Sequence, residues 1–421
     1  VSSKVLGLFR ILFGLCLVYE IFYYLQIDLI NLGLRQPLML FPYKGLEWIQ
    51  PLPGKGMEVL VFLLLISAIC ITAGFLMRIA SLVFLIGFSY IFFLDKSLYN
   101  NHLYLFLLLL IILIITDTDA AFSFDKRKHK AMIPFWQLMI FQFQIIIVYF
   151  YGGLAKLNPD WLVMHQPVKI LTDSTDGFQT YIMIYGGLIF DLLIGFALLW
   201  KPTRAFAFMA ALVFNILNAV IFNDIGIFPF FMMASLVLFV DPVKVDSWFK
   251  KGHLKKKDTN VSHVFRLNKP VQAFLLLYIL FQVLFPFRHL RYKGNVDWYG
   301  EAQRFSWRMK IQQRDLKEFS MDVLDFDQKH ILTLEPNKYL TTAQILSLKQ
   351  DPAMLLAFAK FIEKDAKNKG MRKPVIRARL AVSFNGRAPQ PVVDPEKDLC
   401  EISSDAPLAA WVTKLNGNEG D

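Results

Sequence analysis

Lys156 sits where a lysine is costly. It ends the stretch Phe150-Tyr151-Gly152-Gly153-Leu154-Ala155-Lys156-Leu157-Asn158-Pro159-Asp160-Trp161, which closes an apolar run that begins near Pro134. A charged side chain at mid-membrane costs ~3 kcal/mol or more, and burial favours the neutral amine. A lysine held neutral can serve as a base near neutral pH, which a surface lysine cannot. The alternative is a helix-end anchor that snorkels to the head groups. A second polar set, Asp95-Lys96-Ser97-Leu98-Tyr99-Asn100-Asn101-His102, joins two apolar runs. His102 can hold or release a proton near neutral pH, and Asn101 offers an amide donor to a developing anion. The alternative for His102 is a polar interfacial residue at a helix start. Asn215 and Asn218, spaced i, i+3, share one helix face.

These residues need membrane-spanning elements to position them. Of the 421 residues, 55% are hydrophobic, and mean hydropathy is +0.44, above the ~45–50% apolar content of soluble domains. Apolar stretches of spanning length predict nine transmembrane helices, at about 5–26, 57–77, 79–94, 102–116, 134–155, 179–199, 204–222, 225–240 and 271–287. The first reads as a span, not as a removed signal peptide. Lys and Arg concentrate in alternate connections, among them Lys126 to Lys130 and Lys244 to Lys269. The bias predicts a cytoplasmic N-terminus and an extracytoplasmic C-terminal region. That topology sets Asn100, Asn101, His102 and Lys156 at one outer membrane level. Lys250 to Lys257 reads as a topology-fixing loop, with anionic lipid binding as the alternative.

The expected fold is a polytopic α-helical membrane domain over 1–288, followed by a small β-rich α+β extracytoplasmic domain over 289–421. Period-two alternation marks strands at Arg308–Ile311, Glu318–Leu324 and Val375–Phe384, with a turn at Asp325 to His330. Thr341 to Lys369 has helical spacing, and Pro352 divides it. After Pro389 the chain reads as loosely ordered.

Other polar groups interrupt the apolar runs: Arg10, Glu20, Gln137, Gln142, Gln144 and Asp191. Arg10 and Glu20 lie ~15 Å apart along a helix, too far to pair. The net charge of +11 follows topology and comes with no basic-aromatic module, so no nucleic acid partner is expected. Scattered histidines and isolated Cys16, Cys70 and Cys400 give no metal-ligand spacing. The C-terminal region has one cysteine and cannot form an internal disulfide. With the single sequon Asn260-Val261-Ser262 on the cytoplasmic side, this leans toward a bacterial inner membrane over the endoplasmic reticulum. No P-loop, dinucleotide fingerprint or Gly-x-Ser-x-Gly elbow occurs, so a redox partner would be lipid-soluble.

The chain resembles the vitamin K-dependent γ-carboxylase family and the wider group sharing its horizontally transferred transmembrane domain. The resemblance rests on Asp95-Lys96 with Asn100-Asn101-His102, and on Tyr149 to Leu157 with Asp160-Trp161. It continues through Gly186-Gly187 to Asp191, Ile225 to Phe228, and Gln282, Pro286, His289, Gly294, Asn295 and Trp298, ending at Ser306-Trp307. It implies carboxylation of protein glutamate to γ-carboxyglutamate. Vitamin K hydroquinone, of phylloquinol or menaquinol type, would be drawn from the bilayer, with O2 and CO2 as co-substrates and no metal. Lys156 would match the base that deprotonates the quinol, and His102 the histidine that assists at the glutamate carbanion. Asn100, Asn101, Asn215, Asn218, His289 and Trp307 would position quinol or substrate. Coupling to quinol oxidation is chemically reasonable, because a γ-C–H is too weak an acid for an ordinary side-chain base, and a water-poor site protects a stronger one. Two departures stand out: Asn215 falls where the animal enzymes have histidine, and the external region is shorter than theirs. The alternatives are a quinol epoxidase with another acceptor and a non-enzymatic membrane transporter or scaffold.

Overall fold

The computed structural model describes residues 1–125, 128–165, 177–222, 225–249, 267–325 and 330–417. Asn223-Asp224, the whole 250–266 connection with its basic run and sequon, and part of the 325–330 turn lie outside these.

Seven described helices are long and apolar enough to cross a membrane: α1 (Ser3–Gln26), α2 (Gly56–Ala73), α3 (Met77–Leu94), α5 (Phe135–Ala155), α6 (Ile182–Leu199), α7 (Arg204–Ile221) and α9 (Lys269–Arg291). The other two expected spans differ. The fourth, α4 (Asn101–Ile115), is only 15 residues and lies mostly buried among its neighbours. The eighth, α8 (Phe228–Phe239), bends by 98° into the short helix Pro242–Trp248, as a broken span or re-entrant loop does. Pro242 lacks the N–H a straight helix needs, and Asp241 caps the new start at Val243 N.

Helix ends explain much of the layout. Gly74 stops α2 in the left-handed region, where glycine carries no Cβ penalty. Buried Arg10 of α1 then donates to the carbonyls of Ile71 (2.7 Å) and Thr72 (2.6 Å) at that end, and to Phe122 O (2.7 Å). A guanidinium among orphan helix carbonyls satisfies both sides, so Arg10 needs no acid partner. Phe9, Phe13, Phe106, Phe141 and Phe231 interlock beside it, largely edge to face.

The C-terminal module is a four-stranded antiparallel sheet, ordered β2 (His330–Leu334), β1 (Arg314–Asp325), β3 (Pro374–Phe384) and β4 (Gln390–Pro391). Along β3, Ile376, Ala378, Leu380 and Val382 are buried in alternation, the period-two pattern of a half-covered sheet. They share a core with Met354, Leu355, Phe358 and Ile362 of α11 (Pro352–Asn368). Pro352 divides the helical stretch as expected, and α10 (Thr342–Leu348) precedes it with a complete capping box at Thr341 and Gln344.

Two expectations fail here. Arg308–Ile311 is not a strand: Trp307 and Lys310 take positive φ, 58° and 54°, which breaks the pleat. From the short β4 to residue 417 the chain is irregular but packed, not loose. Val392, Val393, Leu399, Leu408, Trp411 and Val412 all join the module core. Apolar residues at irregular spacing can be buried without forming a periodic element.

The module is fastened to the membrane domain by buried polar contacts. Asp95, at the α3–α4 connection, accepts from Phe41 N (3.1 Å), Ser97 N (2.7 Å) and Gln344 Nε2 (2.8 Å). Asp160, just after α5, accepts from both Arg387 nitrogens (2.6 and 2.8 Å) and from Asn385 (2.7 Å).

Candidate active site

The seam between α5 and α6 is thinned by glycine. A Cβ on Gly153 would stand 2.8 Å from the backbone N of Leu192, and one on Gly195 2.7 Å from Ile146. This approach brings Lys156, the C-cap of α5, against Asp191 of α6. Lys156 Nζ donates a buried hydrogen bond to Asp191 Oδ2, lies 3.5 Å from Gly187 O and sits 5.2 Å over the Trp161 ring. Both partners are more than nine-tenths buried. A pair in low dielectric is neutral overall, either as ammonium and carboxylate or, after one proton moves, as amine and carboxylic acid. Breaking such a pair strands a charge. Lys156 is therefore not a snorkelling anchor.

The pair forms part of the wall of a cavity of about 1040 Å³, large enough for a drug-sized ligand. Asn100, Asn101, Asn215 and Asn218 also line it. Asn215 Nδ2 donates to Tyr149 OH (2.9 Å) and Ala211 O (2.8 Å), while Asn101 Oδ1 accepts from Tyr99 OH (2.9 Å). Phe190 and Phe214 stack at 4.0 Å within the lining. On the α7 side the lining turns apolar. Phe206, Met209, Val213 and Leu217 face the cavity yet remain at least half exposed, so it opens sideways toward hydrocarbon.

The opposite end meets the C-terminal module and is basic. Lys96, Arg304, Arg308, Lys310 and Arg314 line it, with Asp351. Arg304 pairs with Asp351 at 2.5 Å, and Arg308 with Asp297 at 2.7 Å. Burial pushes the Asp351 carboxyl up, but the charges of Arg304 and Lys96, with hydrogen bonds from Arg304 and Ala353 N, hold it below its ordinary value. Burial brings the Arg314 guanidinium down to about 10, against the pull of Asp297 and Asp351. Burial lowers the Lys96 ammonium as well.

Three residues expected at the site lie elsewhere. His102 is buried but does not line the cavity; its Nε2 lies 3.4 Å from Glu20 Oε2 of α1. Successive helical residues point ~100° apart, so Asn101 facing the cavity turns His102 toward α1. Its Nδ1 is buried without a hydrogen bond among the described residues. Trp307 is fully buried and stacks on Tyr104 at 4.9 Å. It belongs to the membrane-domain core directly before Arg308. His289 Nδ1 lies 2.8 Å from Pro286 O, in a separate hollow of about 170 Å³.

Sequence reasoning missed the pairing of Asp191, the hydrogen bond of Tyr149 and the partner of His102. A usable signal existed for the first. Two apolar runs each carry one opposite charge, and intramembrane charges pair.

Fold and site define an integral, multi-pass membrane protein with a buried lysine–aspartate pair beside a cavity open to hydrocarbon. Residues 1–243 match the HTTM domain, and residues 267–418 match the lumenal domain of vitamin K-dependent gamma-carboxylase. The chain belongs to the vitamin K-dependent gamma-carboxylase family, whose chemistry is vitamin K-dependent carboxylation. No solved structure matches the chain.

Proposed function

We propose that this chain carboxylates glutamate side chains to γ-carboxyglutamate, coupled to oxidation of vitamin K hydroquinone by O2 to its epoxide. The observation that carries this reading is the Lys156–Asp191 pair in a cavity with an apolar side entrance and a basic far end.

The residues fit the quinol. A flat, apolar ring can enter beside Val213 and Leu217, with Lys156, Asn215 and Asn218 at hand for its oxygens and the Phe190–Phe214 stack alongside. When bound, vitamin K hydroquinone supplies the reducing equivalents for O2, and with them a base strong enough for a γ-C–H bond. The protein's share is proton handling and exclusion of water. With its proton on Asp191 Oδ2, Lys156 Nζ is an amine that takes a hydroxyl proton. Asn100 and Asn101 position substrate oxygens from the opposite wall. His102, backed by Glu20, holds a proton behind that wall, and Trp307 supports the Arg308–Lys310 turn. In this reading the C-terminal domain lies outside the cytoplasm of a bacterial inner membrane, supported by the Lys and Arg bias of the connections; protection from external protease in sealed cells would overturn that orientation.

A second reading, quinol oxidation with another acceptor, is favoured by one observation: His102 faces Glu20 and not the cavity. Purified protein given reduced naphthoquinone, O2, labelled bicarbonate and glutamate peptides separates the two. Epoxide with fixed label supports the first, epoxide alone the second. Neither product from folded protein removes both.

A further inference from the structure

The basic end of the cavity is more positive than its own acids balance. Arg308 is matched by Asp297 and Arg304 by Asp351. Arg314 donates to the backbone carbonyls of Lys349 (2.5 Å) and Trp298 (2.6 Å); no carboxylate among the described residues bonds to it directly, and the charges of Asp297 and Asp351 act on it from a distance. The half-buried Lys96 Nζ has no hydrogen bond or ion pair among the described residues, although it lines the cavity beside Arg304. The carboxylates of Asp351, Asp95 and Glu47 act on it only from a distance, and a partly desolvated ammonium with no direct partner among the described residues is set for an incoming anion. Among the described residues, the paired guanidiniums leave the Lys96 ammonium without a direct partner at the Lys96–Arg304 corner, enough for a monoanion. The place is where a chain bound under the C-terminal module would run, beside Ser347 and Gln350.

We propose that Lys96, with Arg304 behind it, forms a subsite for a second carboxylate of the substrate: an acidic side chain next to the acceptor glutamate. The inference rests on the carboxylation reading and deepens it, by making the preferred substrate an acidic peptide and not an isolated glutamate. Lys96 is a specificity residue. It binds the flank and takes no part in the proton transfers at Lys156.

The test uses the full chain in nanodiscs of zwitterionic lipid and two labelled peptides, one with glutamate beside the acceptor and one with glutamine there. Fluorescence anisotropy gives affinity; label fixation gives KM and kcat. The acidic flank binds about tenfold tighter, a difference carried by KM and not kcat, because a charge-assisted hydrogen bond is worth about one decade. Added salt narrows the difference. Lys96→Gln removes the preference, while Lys96→Arg keeps most of it and shows that charge, not folding, is responsible. Equal affinities in the parent chain, or a preference that survives in Lys96→Gln, overturn the proposal. So does loss of the preference when phosphatidylglycerol replaces the zwitterionic lipid, which would give the site to a lipid phosphate. Acidic-peptide preference without label fixation leaves the subsite standing and removes the carboxylation reading; fixation without preference does the reverse.

Discussion

Lys156 Nζ and Asp191 Oδ2 share a buried hydrogen bond across the glycine-thinned contact of α5 and α6. Neither residue would be tolerated alone in this setting. Lys156→Ala leaves a buried carboxylate and Asp191→Leu a buried ammonium, so each loses about 3–5 kcal/mol of stability. Lys156→Met combined with Asp191→Leu regains most of that loss yet forms no epoxide. Thermal unfolding in detergent, run beside an epoxide assay, checks both halves. Epoxide formation by the stable double variant would remove Lys156 as the base.

His102 and Glu20 form the other buried acid–base contact, 3.4 Å apart. In the proposed chemistry His102→Ala lowers fixed label more than epoxide, and Glu20→Gln shifts the ratio the same way by loosening the imidazole. Measuring both products in one reaction decides this. An equal fall of both products would show that His102 has no separate role at the glutamate.

Asn215 is held by Tyr149 and by Ala211 O on the cavity wall. Asn215→Leu removes a polar group from the cavity wall beside its apolar α7 side and strands the Tyr149 hydroxyl, at about 1–3 kcal/mol. Quinol KM should rise about tenfold or more, while Tyr149→Phe, which leaves the amide in place, should raise it less. Identical effects would mean that Asn215 only supports Tyr149.

The architecture was legible because hydrocarbon imposes a simple rule: backbone groups must bond within the segment, so each apolar run becomes a helix. The rule reports length, and it missed the 98° turn after α8, since Asp241-Pro242 closes an apolar run just as a span end does. For the site, topology set Lys156 and Asn101 at one cavity, but rotation about the α4 axis turned His102 away. Facing direction depends on which neighbour fills each groove, and one sequence does not state that. The packed tail from Val392 to Val412 was missed because its burial comes from the sheet and α11, not from any period of its own.

Docking of the C-terminal module depends on Asp160, which takes a forked pair from Arg387. Burial alone would push its carboxyl up; the Arg387 and Asn385 hydrogen bonds and the Arg387 charge outweigh this and hold it below the ordinary value. The folded value is therefore depressed. The contribution is complete above the unfolded carboxylate value of ~3.9 and is lost as pH falls through the folded one. Limited proteolysis should release the module more readily below about pH 4. Arg387→Ala should loosen it at neutral pH, costing about 2–5 kcal/mol, and should flatten the acid dependence. Unchanged acid dependence in that variant would assign it to another carboxylate such as Asp351.

Gly153 tests whether the Lys156–Asp191 contact depends on close helix approach. An added Cβ would meet both the backbone N and the side chain of Leu192 at 2.8 Å, and a backbone atom cannot rotate away. Gly153→Ala must separate α5 from α6, at about 1–3 kcal/mol. Gly186 is the stability control, because a Cβ there meets only Ile182 Cγ2, at an ordinary 3.7 Å. The separation acts less than one helical turn from Lys156, so epoxide formation should fall further than stability alone would carry it. A Gly153→Ala protein that melts early but keeps full activity per folded molecule would show that the pair tolerates a wider seam, and that the glycine serves packing alone.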